Sequence, residues 1–486
     1  MSAERERAGF FRRHAKKLLA LSLTLLALPF GFHYVAAYAS RMEPPPIELV
    51  EGEPEVRGEV RRLGFAYATR RGHITELRLG GSAEQIGHQH ARLLYEQMKS
   101  SEAQLYRTFE GLVPLSPLRT LLVDLGKLSS RGIDREMSEP RLREIASQAR
   151  AFSPDPYAEL MPTYQRLVVL NALYDVALGF EHSPLLGCTS FVARGERKLG
   201  EGALLARNFD FEAGPVFDEA KVVFLVFEQG RIPFASVAWP GLVGVVSGMN
   251  AEGLAVVVHG ARARENADLG EPVVHTARAL LAEARDVDEA FAILQTKQAR
   301  VSHLMLLADA RGQAMAVERA PGEAPEARRI EGDFLPLTNH FEGALAADPK
   351  NRRIREKSST LPRRARLDEL LDAETGRLDA TRAVELLRDR RGPAGVELPL
   401  GHRSTIDALI ATHGVVMDTE ARALWVSEAP HLLGRFVRFD LRKLLDRGYD
   451  PEASPAPLET IAADPALADG RYEAWLGAGS PHPGAE

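Results

Sequence analysis

Residues 187–211 read GCTSFVARGERKLGEGALLARNFDF and mark a change in the character of the sequence. Before them, residues 100–180 carry apolar clusters at 112–125 and 160–178 and are typical of helices. From Gly187 to about Val258 the β-branched and aromatic residues predict several strands in succession. Cys188 opens the first of these strands and is the only cysteine of the 486 residues, so the chain cannot form an internal disulfide.

Cys188 is open to two interpretations. A lone cysteine is commonly a small buried hydrophobe. It becomes a strong nucleophile only as a thiolate, which needs a base or a cation nearby. If the chain is cut between Gly187 and Cys188, the new α-amine, with a pKa of about 8, supplies that base. Glycine before the cysteine suits the strain that such a cut requires, because glycine tolerates unusual dihedral angles.

The elements predicted around this stretch indicate the fold class. Strands followed by helices and then by strands again predict an α+β fold, a four-layer αββα sandwich of two sheets with helices outside, preceded by a helical segment. The predicted strands are 74–79, 189–193, 221–227, 232–239, 243–246, 254–258, 304–308, 314–318, 334–338, 414–417 and 423–426, and the predicted helices begin at Ser82 and cover 274–297, 365–371 and 381–387.

Several motifs follow Cys188 in a fixed order. Arg207-Asn208-Phe209-Asp210 comes about twenty residues later, then Gly248-Met249-Asn250 with Gly253-Leu254, then Thr338-Asn339-His340, then the helix start at 359–371. Residues 80–94 and 408–441 extend the pattern at both ends. Together these motifs resemble the linear-amide C–N hydrolases. This is the peptidase C45 family of N-terminal-nucleophile (Ntn) hydrolases, which is isopenicillin N acyltransferase-like and related to choloylglycine hydrolases. The resemblance covers about residues 75 to 441.

The resemblance implies a role for each matching residue. Cys188 would attack the amide carbonyl, and Arg207 beside the sulfur would favour the thiolate. Asp210 would orient the α-amine, and Asn339 would donate to the oxyanion. Arg363 fits the late arginine of the family best, with Arg364 and Arg366 as rivals in the basic run 350–366, which could also be a solvated surface.

The sequence departs from the family near the expected oxyanion hole. Many relatives have an asparagine shortly after the Gly-Leu-Ala strand, where this chain reads Val258-His259-Gly260. The donor would then be His259 or a backbone N–H, or His259 is simply a histidine at the end of a strand. Asn250 is a further candidate near the hole, and it also suits the tight turn of a hairpin.

Other kinds of chemistry are not indicated. A net charge of −6 gives no electrostatic support for nucleic-acid binding. Neither a Gly-x-Ser-x-Gly elbow, nor a Walker loop, nor a dinucleotide fingerprint occurs. His88 and His90 are two residues apart on a predicted helix, so they do not share a face and make a poor metal site. We expect no cofactor and no metal.

The N-terminus predicts export. Residues 5–17 are strongly basic, an apolar run covers 18–39, and Ala37-Tyr38-Ala39 resembles a signal-peptidase site. The run is also long enough to be an uncleaved anchor in the inner membrane, with its N-terminus inside. Either way the bulk of the protein would be periplasmic or extracellular. The expected organisation is signal or anchor 1–39, linker 40–73, helical prosegment 74–187 (α chain), catalytic αββα domain 188–449 (β chain) and irregular tail 450–486.

The expected function is hydrolysis of a linear N-acyl amide after self-cleavage between Gly187 and Cys188, with the two chains remaining associated. The alternatives are acyl transfer from coenzyme A to an amine, as in the isopenicillin branch, or a catalytically silent relative that only binds such amides. The substrate would be a small N-acyl amide. Its acyl chain could lie among apolar residues near the motifs, namely Phe191, Phe209, Phe211 and Trp239, although such residues are more often part of a core.

Overall fold

The computed structural model describes residues 14, 15, 17, 19, 27–179, 186–211 and 216–478. Most of the predicted basic and apolar N-terminal run, residues 180–185 before the expected cleavage point and the last eight residues lie outside this set. Residues 27–39 are helical. Among the described residues, no helix is both long enough and apolar enough to cross a membrane.

The described strands form two sheets. An eleven-stranded sheet has the order β1-β2-β3-β4-β7-β8-β9-β10-β11-β12-β13, and a seven-stranded sheet has the order β14-β5-β6-β15-β16-β17-β18. The strands are β1 Glu55–Arg57, β2 Val60–Leu63, β3 Ala66–Arg71, β4 Ile74–Gly81, β5 Leu186–Arg194, β6 Ala203–Phe211, β7 Val222–Glu228, β8 Phe234–Ala238, β9 Ser247–Asn250, β10 Ala255–Gly260, β11 His303–Ala308, β12 Ala314–Arg319, β13 Glu326–Arg329, β14 Phe334–Leu337, β15 Ala411–Asp418, β16 Ala423–Ser427, β17 Phe436–Asp440 and β18 Thr460–Ile461.

Helices cover the outer faces of both sheets. They are α1 Ala83–Leu93, α2 Tyr95–Leu112, α3 Ser116–Ser129, α4 Glu139–Ala151, α5 Thr163–Asn171, α6 Leu173–Gly179, α7 Val216–Glu219, α8 Val273–Glu283, α9 Val287–Thr296, α10 Pro349–Lys357, α11 Thr360–Ala373, α12 Ala380–Leu387, α13 Leu441–Leu444, α14 Pro465–Ala468 and α15 Arg471–Gly477. The capping box that begins α1 pairs Ser82 with Gln85, which satisfies N–H groups that the first helical turn leaves unpaired.

Alternating strand residues divide the core into three layers. Val223 and Leu225 of β7 pack between the sheets, whereas Phe224 of the same strand faces the helices outside the larger sheet. Phe191 of β5 faces α11 and α12 outside the smaller sheet. This helix–sheet–sheet–helix arrangement confirms the predicted α+β, four-layer αββα fold.

The N-terminal strands correct one prediction. Residues 40–73 were predicted to be a linker, but 55–71 form strands β1 to β3 of the larger sheet. The edge strand β1 is exposed and β2 has one buried residue, so their sequence does not show strand alternation, whereas β3 inside the sheet buries Ala66, Tyr67 and Ala68. β4, inside the predicted prosegment, pairs in parallel with β7 of the predicted catalytic chain. Strands from both sides of the predicted boundary at Gly187 therefore belong to the same larger sheet.

Three further elements differ from expectation. Residues 243–246 are a loop, because Gly244 packs against Val274 and the strand begins only at Ser247. The single helix predicted over 274–297 is two helices, α8 and α9, since Asp286 caps the second one. The tail after residue 450 is irregular only to about 459, and β18, α14 and α15 follow.

Candidate active site

The hairpin of β5 and β6 brings Cys188 and Arg207 together. Its register pairs Cys188 with Phe209 and Ser190 with Arg207, so these four side chains share one face of the smaller sheet. The Cys188 thiol is fully buried, and Nη2 of Arg207 lies 3.5 Å from its sulfur. The structure places Arg207 beside the sulfur, where its predicted role in favouring the thiolate stays a prediction.

Arg207 is held in place by groups of the larger sheet. Its Nη1 donates to the Val246 carbonyl at 2.7 Å and to the Ser247 hydroxyl, and its Nη2 donates to the Val258 carbonyl at 2.5 Å. The Ser247 hydroxyl also lies 2.9 Å from Nε2 of His413. The sequence pattern did not single out Ser247 or His413. Packing of the larger sheet on the smaller one brings Ser247 to Arg207, and pairing of β15 with β6, which are far apart in the chain, brings His413 there.

The thiol is protonated in this environment. Burial raises the pKa of Cys188 above its ordinary value, and the positive charge of Arg207 only partly opposes that shift. In the uncleaved chain the sulfur has a cation beside it but no carboxylate or neutral amine within hydrogen-bonding distance among the described residues. A further base is therefore needed to make the nucleophile.

Asn339 and Arg363 form hydrogen bonds with the backbone of Cys188. Its N–H donates to Oδ1 of Asn339 at 2.7 Å, and its carbonyl accepts from Nη1 of Arg363 at 2.5 Å. Nη2 of Arg363 donates to the same Asn339 oxygen at 2.9 Å. The Nδ2 of Asn339, the predicted oxyanion donor, donates to the Gly260 carbonyl at 2.8 Å. Asn339 thus holds the nitrogen that cleavage would turn into the α-amine.

The structure separates Arg363 from its two rivals. Arg363 is buried and contacts Cys188, Thr189 and Asn339. Arg364 pairs with Glu342 and Asp368, and Arg366 pairs with Asp389 and Glu369. Helical spacing explains the difference, because neighbouring residues of α11 point in different directions and only one can face β5.

Asp210 lies on the opposite face of the hairpin from the Cys188 sulfur. It pairs with Gly187 across the strands, and a β-carbon on Gly187 would lie only 3.3 Å from its carboxylate. The φ angle of Gly187 is not positive, so an unusual backbone conformation does not require glycine here. The close approach of Asp210 leaves little room for a side chain at this position. Burial raises the pKa of Asp210 to about 7, against the pull of Arg363 and Arg403.

The two candidate oxyanion residues differ in position. His259 is buried, and its Nε2 lies 2.7 Å from the hydroxyl of Ser190, two residues beyond Cys188. Burial, with repulsion from Arg207, lowers its pKa well below the ordinary value, so its ring is neutral. Asn250 instead uses its amide on the Leu281 and Ala284 carbonyls and on N–H groups of its own turn. These contacts give Asn250 a structural role in the hairpin.

An apolar pocket lies beside the cysteine. Phe209, Phe211 and Trp239 line it as predicted, but Phe191 packs on the other face of the sheet under α11 and α12. Phe191 is an odd number of residues from Cys188, so strand alternation turns it away from the pocket. The remaining lining residues are Ser101, Glu102, Leu105, Leu170, Leu173, Tyr174, Val216, Phe217, Pro240, Leu242, Val246 and Val274.

Tyr174 is a polar group in this pocket that sequence reasoning missed. Its hydroxyl is buried and has no hydrogen-bond partner within the described part of the chain. Burial raises its pKa well above the ordinary value, and the Cys188 thiol adds to that shift. A neutral hydroxyl that lines this pocket without a partner can donate to a bound ligand.

The predicted prosegment also supports the site. His90 of α1 accepts from the Gly241 N–H at 3.0 Å, and Asn171 of α5 bonds both the Gly241 carbonyl and the Val243 N–H. The loop they hold ends in Val246, whose carbonyl orients Arg207. His88 turns instead to the Gly52 carbonyl. Over the described residues, no group of three or more His, Cys, Asp or Glu could hold a metal ion.

Comparison with known proteins gives one family match. Residues 197–403 match the family described as acyl-coenzyme A:6-aminopenicillanic acid acyl-transferase. The matched range contains Arg207, Asn339 and Arg363 and begins after Cys188. An uncharacterised protein of Archaeoglobus fulgidus is 25% identical over 273 residues, which are 50% of this chain and 44% of that protein. The chain therefore spans less than half the length of this relative.

Solved structures with some likeness include three amide hydrolases. The N-acylethanolamine-hydrolyzing acid amidase ortholog of Caenorhabditis elegans has a TM-score of 0.36 at 14% identity, over 48% of this chain and 93% of that one. Penicillin V acylase of Agrobacterium tumefaciens has a TM-score of 0.34 at 19% identity, over 52% and 92%. A mutant of the conjugated bile acid hydrolase from Clostridium perfringens has a TM-score of 0.35 at 13% identity, over 57% and 97%.

The order of motifs from Cys188 to Arg363, their convergence on one site and the family match agree with one another. The chain resembles the acyl-coenzyme A:6-aminopenicillanic acid acyl-transferase (peptidase C45) family of Ntn hydrolases.

Proposed function

We propose that this protein is an exported cysteine amidohydrolase of the Ntn type, which cleaves a linear N-acyl amide after cutting itself between Gly187 and Cys188. The family match and the αββα fold support an amide-cleaving hydrolase or acyltransferase. The observation that carries the proposal is the arrangement around Cys188. Arg207 lies 3.5 Å from its sulfur, while Asn339 and Arg363 hold its backbone N–H and carbonyl.

Activation would begin with attack of the Cys188 sulfur on the carbonyl carbon of Gly187. The C–N bond to Cys188 breaks, its nitrogen takes the thiol proton, and a thioester joins Gly187 to the sulfur. Water then hydrolyses the thioester, leaving a carboxylate on Gly187 and a free thiol and amine on Cys188. The Asn339 oxygen, 2.7 Å from the nitrogen in the intact chain, is placed to hold the amine once it forms.

The mature site would use the same groups on a substrate. The free α-amine takes the thiol proton, and the thiolate beside Arg207 attacks the amide carbonyl. The departing amine takes the proton, and water releases the acyl group as a carboxylate. We assign Nδ2 of Asn339 and the Tyr174 hydroxyl as donors to the oxyanion. The Nδ2 group has a second N–H beside the one on the Gly260 carbonyl, and Tyr174 lines the adjoining pocket with no partner of its own in the described structure.

The prosegment would stay bound after cleavage. β4 lies inside the larger sheet, paired with β3 on one side and β7 on the other. Buried ion pairs also cross the boundary, since Arg141 and Glu144 of α4 bond Glu228 and Arg278 on the other side. Removing one partner of such a buried network is costly, typically about 3–5 kcal/mol. Separation of the chains would break the sheet and this network together.

The substrate would carry an apolar acyl group. The pocket beside Cys188 is lined mainly by Leu, Val, Phe and Trp side chains, and its few polar groups include Ser101, Glu102 and Tyr174. An N-acyl amino acid, an N-acyl amine, a bile-salt conjugate and a penicillin all offer such a group. We also propose export, with 18–39 acting as a signal or an anchor, because basic residues precede the apolar run.

Acyl transfer from coenzyme A to an amine is the second candidate, and the description of the matched family favours it. The same thioester on Cys188 would then form from acyl-coenzyme A and pass to an amine instead of water. Cellular location separates the two, because coenzyme A is cytosolic. Fractionation that places the mature protein in the cytosol would favour the transferase.

A panel of amides tests the hydrolase directly. The wild type and Cys188→Ser would be incubated with N-acyl amino acids, N-acyl amines, bile-salt conjugates and penicillins, and free amine would be measured. We expect thiol-dependent release from at least one class by the wild type alone. Purified wild type that remains intact, and shows no thiol-dependent release from any class, would instead identify a catalytically silent binding relative.

A further inference from the structure

The helical hairpin of α2 and α3 presents an unusual surface. Six leucines in and around α3 have between 40% and 77% of their surface exposed. Four of them occur at positions i, i+3, i+4 and i+7 and so share one helical face. The six are Leu112, Leu115, Leu118, Leu121, Leu122 and Leu125.

The charged residues of α3 point the other way. Asp124 and Lys127 have only 2% and 6% of their side chains exposed and pair with each other at 3.2 Å. Arg119 is turned back onto the start of the helix, where it bonds the Val113 and Pro114 carbonyls and pairs with Glu110. A helix on a protein surface in water normally shows its charges and buries its leucines. The polarity of α3 is inverted.

The N-terminal helix continues this surface. In residues 27–39, Leu28, Phe30, Tyr34, Val35 and Tyr38 are exposed. Nδ1 of His33 in the same helix lies 2.7 Å from the Asp124 carboxylate, so the helix and α3 are in direct contact. These exposed residues end the apolar run 18–39. Tyrosines next to an apolar segment are typical of residues at the boundary between lipid and water.

We propose that α3 and residues 27–39 together form a membrane-docking surface, with the leucine face of α3 lying in the acyl-chain boundary of a lipid bilayer. This inference rests on the anchor form of the proposed function, in which residues 27–39 are retained. A monolayer-deep contact explains the inverted polarity, because lipid contact favours leucines outside and leaves the charges to pair inside. The surface is continuous with the apolar N-terminal run, and this favours a lipid bilayer, and not a second copy of the chain, as the partner that covers it. Since α2 also lines the pocket with Ser101 and Leu105, docking would bring the pocket close to the lipid surface.

A depth probe at Leu122 tests this surface. The full-length chain would carry Leu122→Cys with Cys188→Ala, so that a bimane dye labels only position 122. Leu199→Cys in the same background is the matched control, because Leu199 is an exposed leucine in the turn between β5 and β6, at the far end of that hairpin from Cys188. Both labelled chains would be reconstituted with phosphatidylcholine–phosphatidylglycerol vesicles, and unchanged melting temperatures would show that both are folded.

We expect doxyl-labelled phosphatidylcholine to reduce the fluorescence at position 122 by about twofold or more and to leave position 199 unchanged, because only a residue among acyl chains meets the lipid quencher. Quenching of position 122 by aqueous iodide but not by the lipid would overturn the proposal. Spontaneous disulfide dimers of unlabelled Leu122→Cys on the vesicles would also overturn it, because they would show a second copy covering the face. Leu125→Cys repeats the measurement one turn away, should labelling at 122 unfold the chain.

Discussion

The guanidinium of Arg207 lies 3.5 Å from the sulfur of Cys188, and both side chains are fully buried. Two backbone carbonyls and a serine hydroxyl fix the arginine, so its charge cannot turn away from the sulfur. Buried charge acts through a low local dielectric and is felt strongly at this distance.

Removing the cation should weaken the nucleophile. Arg207→Met should lower kcat/KM by roughly 100-fold or more, as for the loss of a single strong electrostatic group in other active sites. The ultraviolet absorbance of the thiolate should appear only at higher pH than in the wild type, because Arg207 opposes the raised pKa of Cys188. Arg364→Met is the control, since Arg364 pairs with Glu342 and Asp368. An unchanged thiolate titration in Arg207→Met would contradict this role.

Arg363 should be required for processing as well as for turnover. It bonds the Cys188 carbonyl and Asn339, so Arg363→Met removes a hydrogen-bond donor from both groups at the proposed cleavage point. We expect an uncleaved chain on a denaturing gel after overnight incubation. Arg366→Met, on the same helix but paired with Asp389 and Glu369, should be cleaved normally. Equal cleavage of the two variants would assign Arg363 to structure alone.

Asp210 should make stability depend on pH. Burial raises its pKa from 3.8 to about 7, so between these values the folded chain holds a proton that the unfolded chain has lost. The contribution of Asp210 to the free energy of unfolding is therefore fully present below pH 4. It is lost as the pH rises to about 7, and the loss amounts to up to about 4 kcal/mol. Asp210→Asn in a Cys188→Ala background should remove this loss. Urea unfolding at pH 4 to 8 measures the difference, and parallel curves for the two chains would refute it.

The Tyr174 hydroxyl should act in turnover and not in folding. It lines the pocket and has no hydrogen-bond partner in the described structure. Tyr174→Phe should lower kcat by roughly 100-fold with little change in KM, since the lost donor acts on charge that develops in the transition state. Tyr164→Phe is matched, because Tyr164 is also buried with an unpartnered hydroxyl in the described part of the chain but does not line the pocket. A similar fall in kcat for both would remove Tyr174 from the mechanism.

The hairpin around Cys188 could be predicted from sequence because its parts are local. The distance along the chain from Cys188 to Arg207 suits a strand, a turn and a returning strand, and pairing of neighbouring strands sets the contact. Arg363 needed the resemblance, and only the structure separated it from Arg364 and Arg366. Ser247, His413 and Tyr174 could not be predicted, because each reaches the site through packing or strand pairing between elements far apart in the chain.

The fold, too, could be predicted only where the signal in the sequence is local. The two-sheet plan follows from alternating strands and helical periodicity, and it was predicted correctly. Strands β1 to β3 were not, because the exposed and charged residues of β1 and β2 resemble a linker, and the short buried stretch of β3 was assigned to the same linker. The pairing of β4 with β7 joins residues on either side of the proposed cleavage point and has no local signal in the sequence.

Intact-mass spectrometry of the purified full-length protein tests the central claim most directly. We predict two fragments that meet at the Gly187–Cys188 bond and co-elute in a native column, with cysteine as the first residue of the larger one. Cys188→Ala should give a single uncleaved chain under the same conditions. Active wild-type protein that keeps the Gly187–Cys188 bond, or cleavage that persists at this bond in Cys188→Ala, would contradict the account.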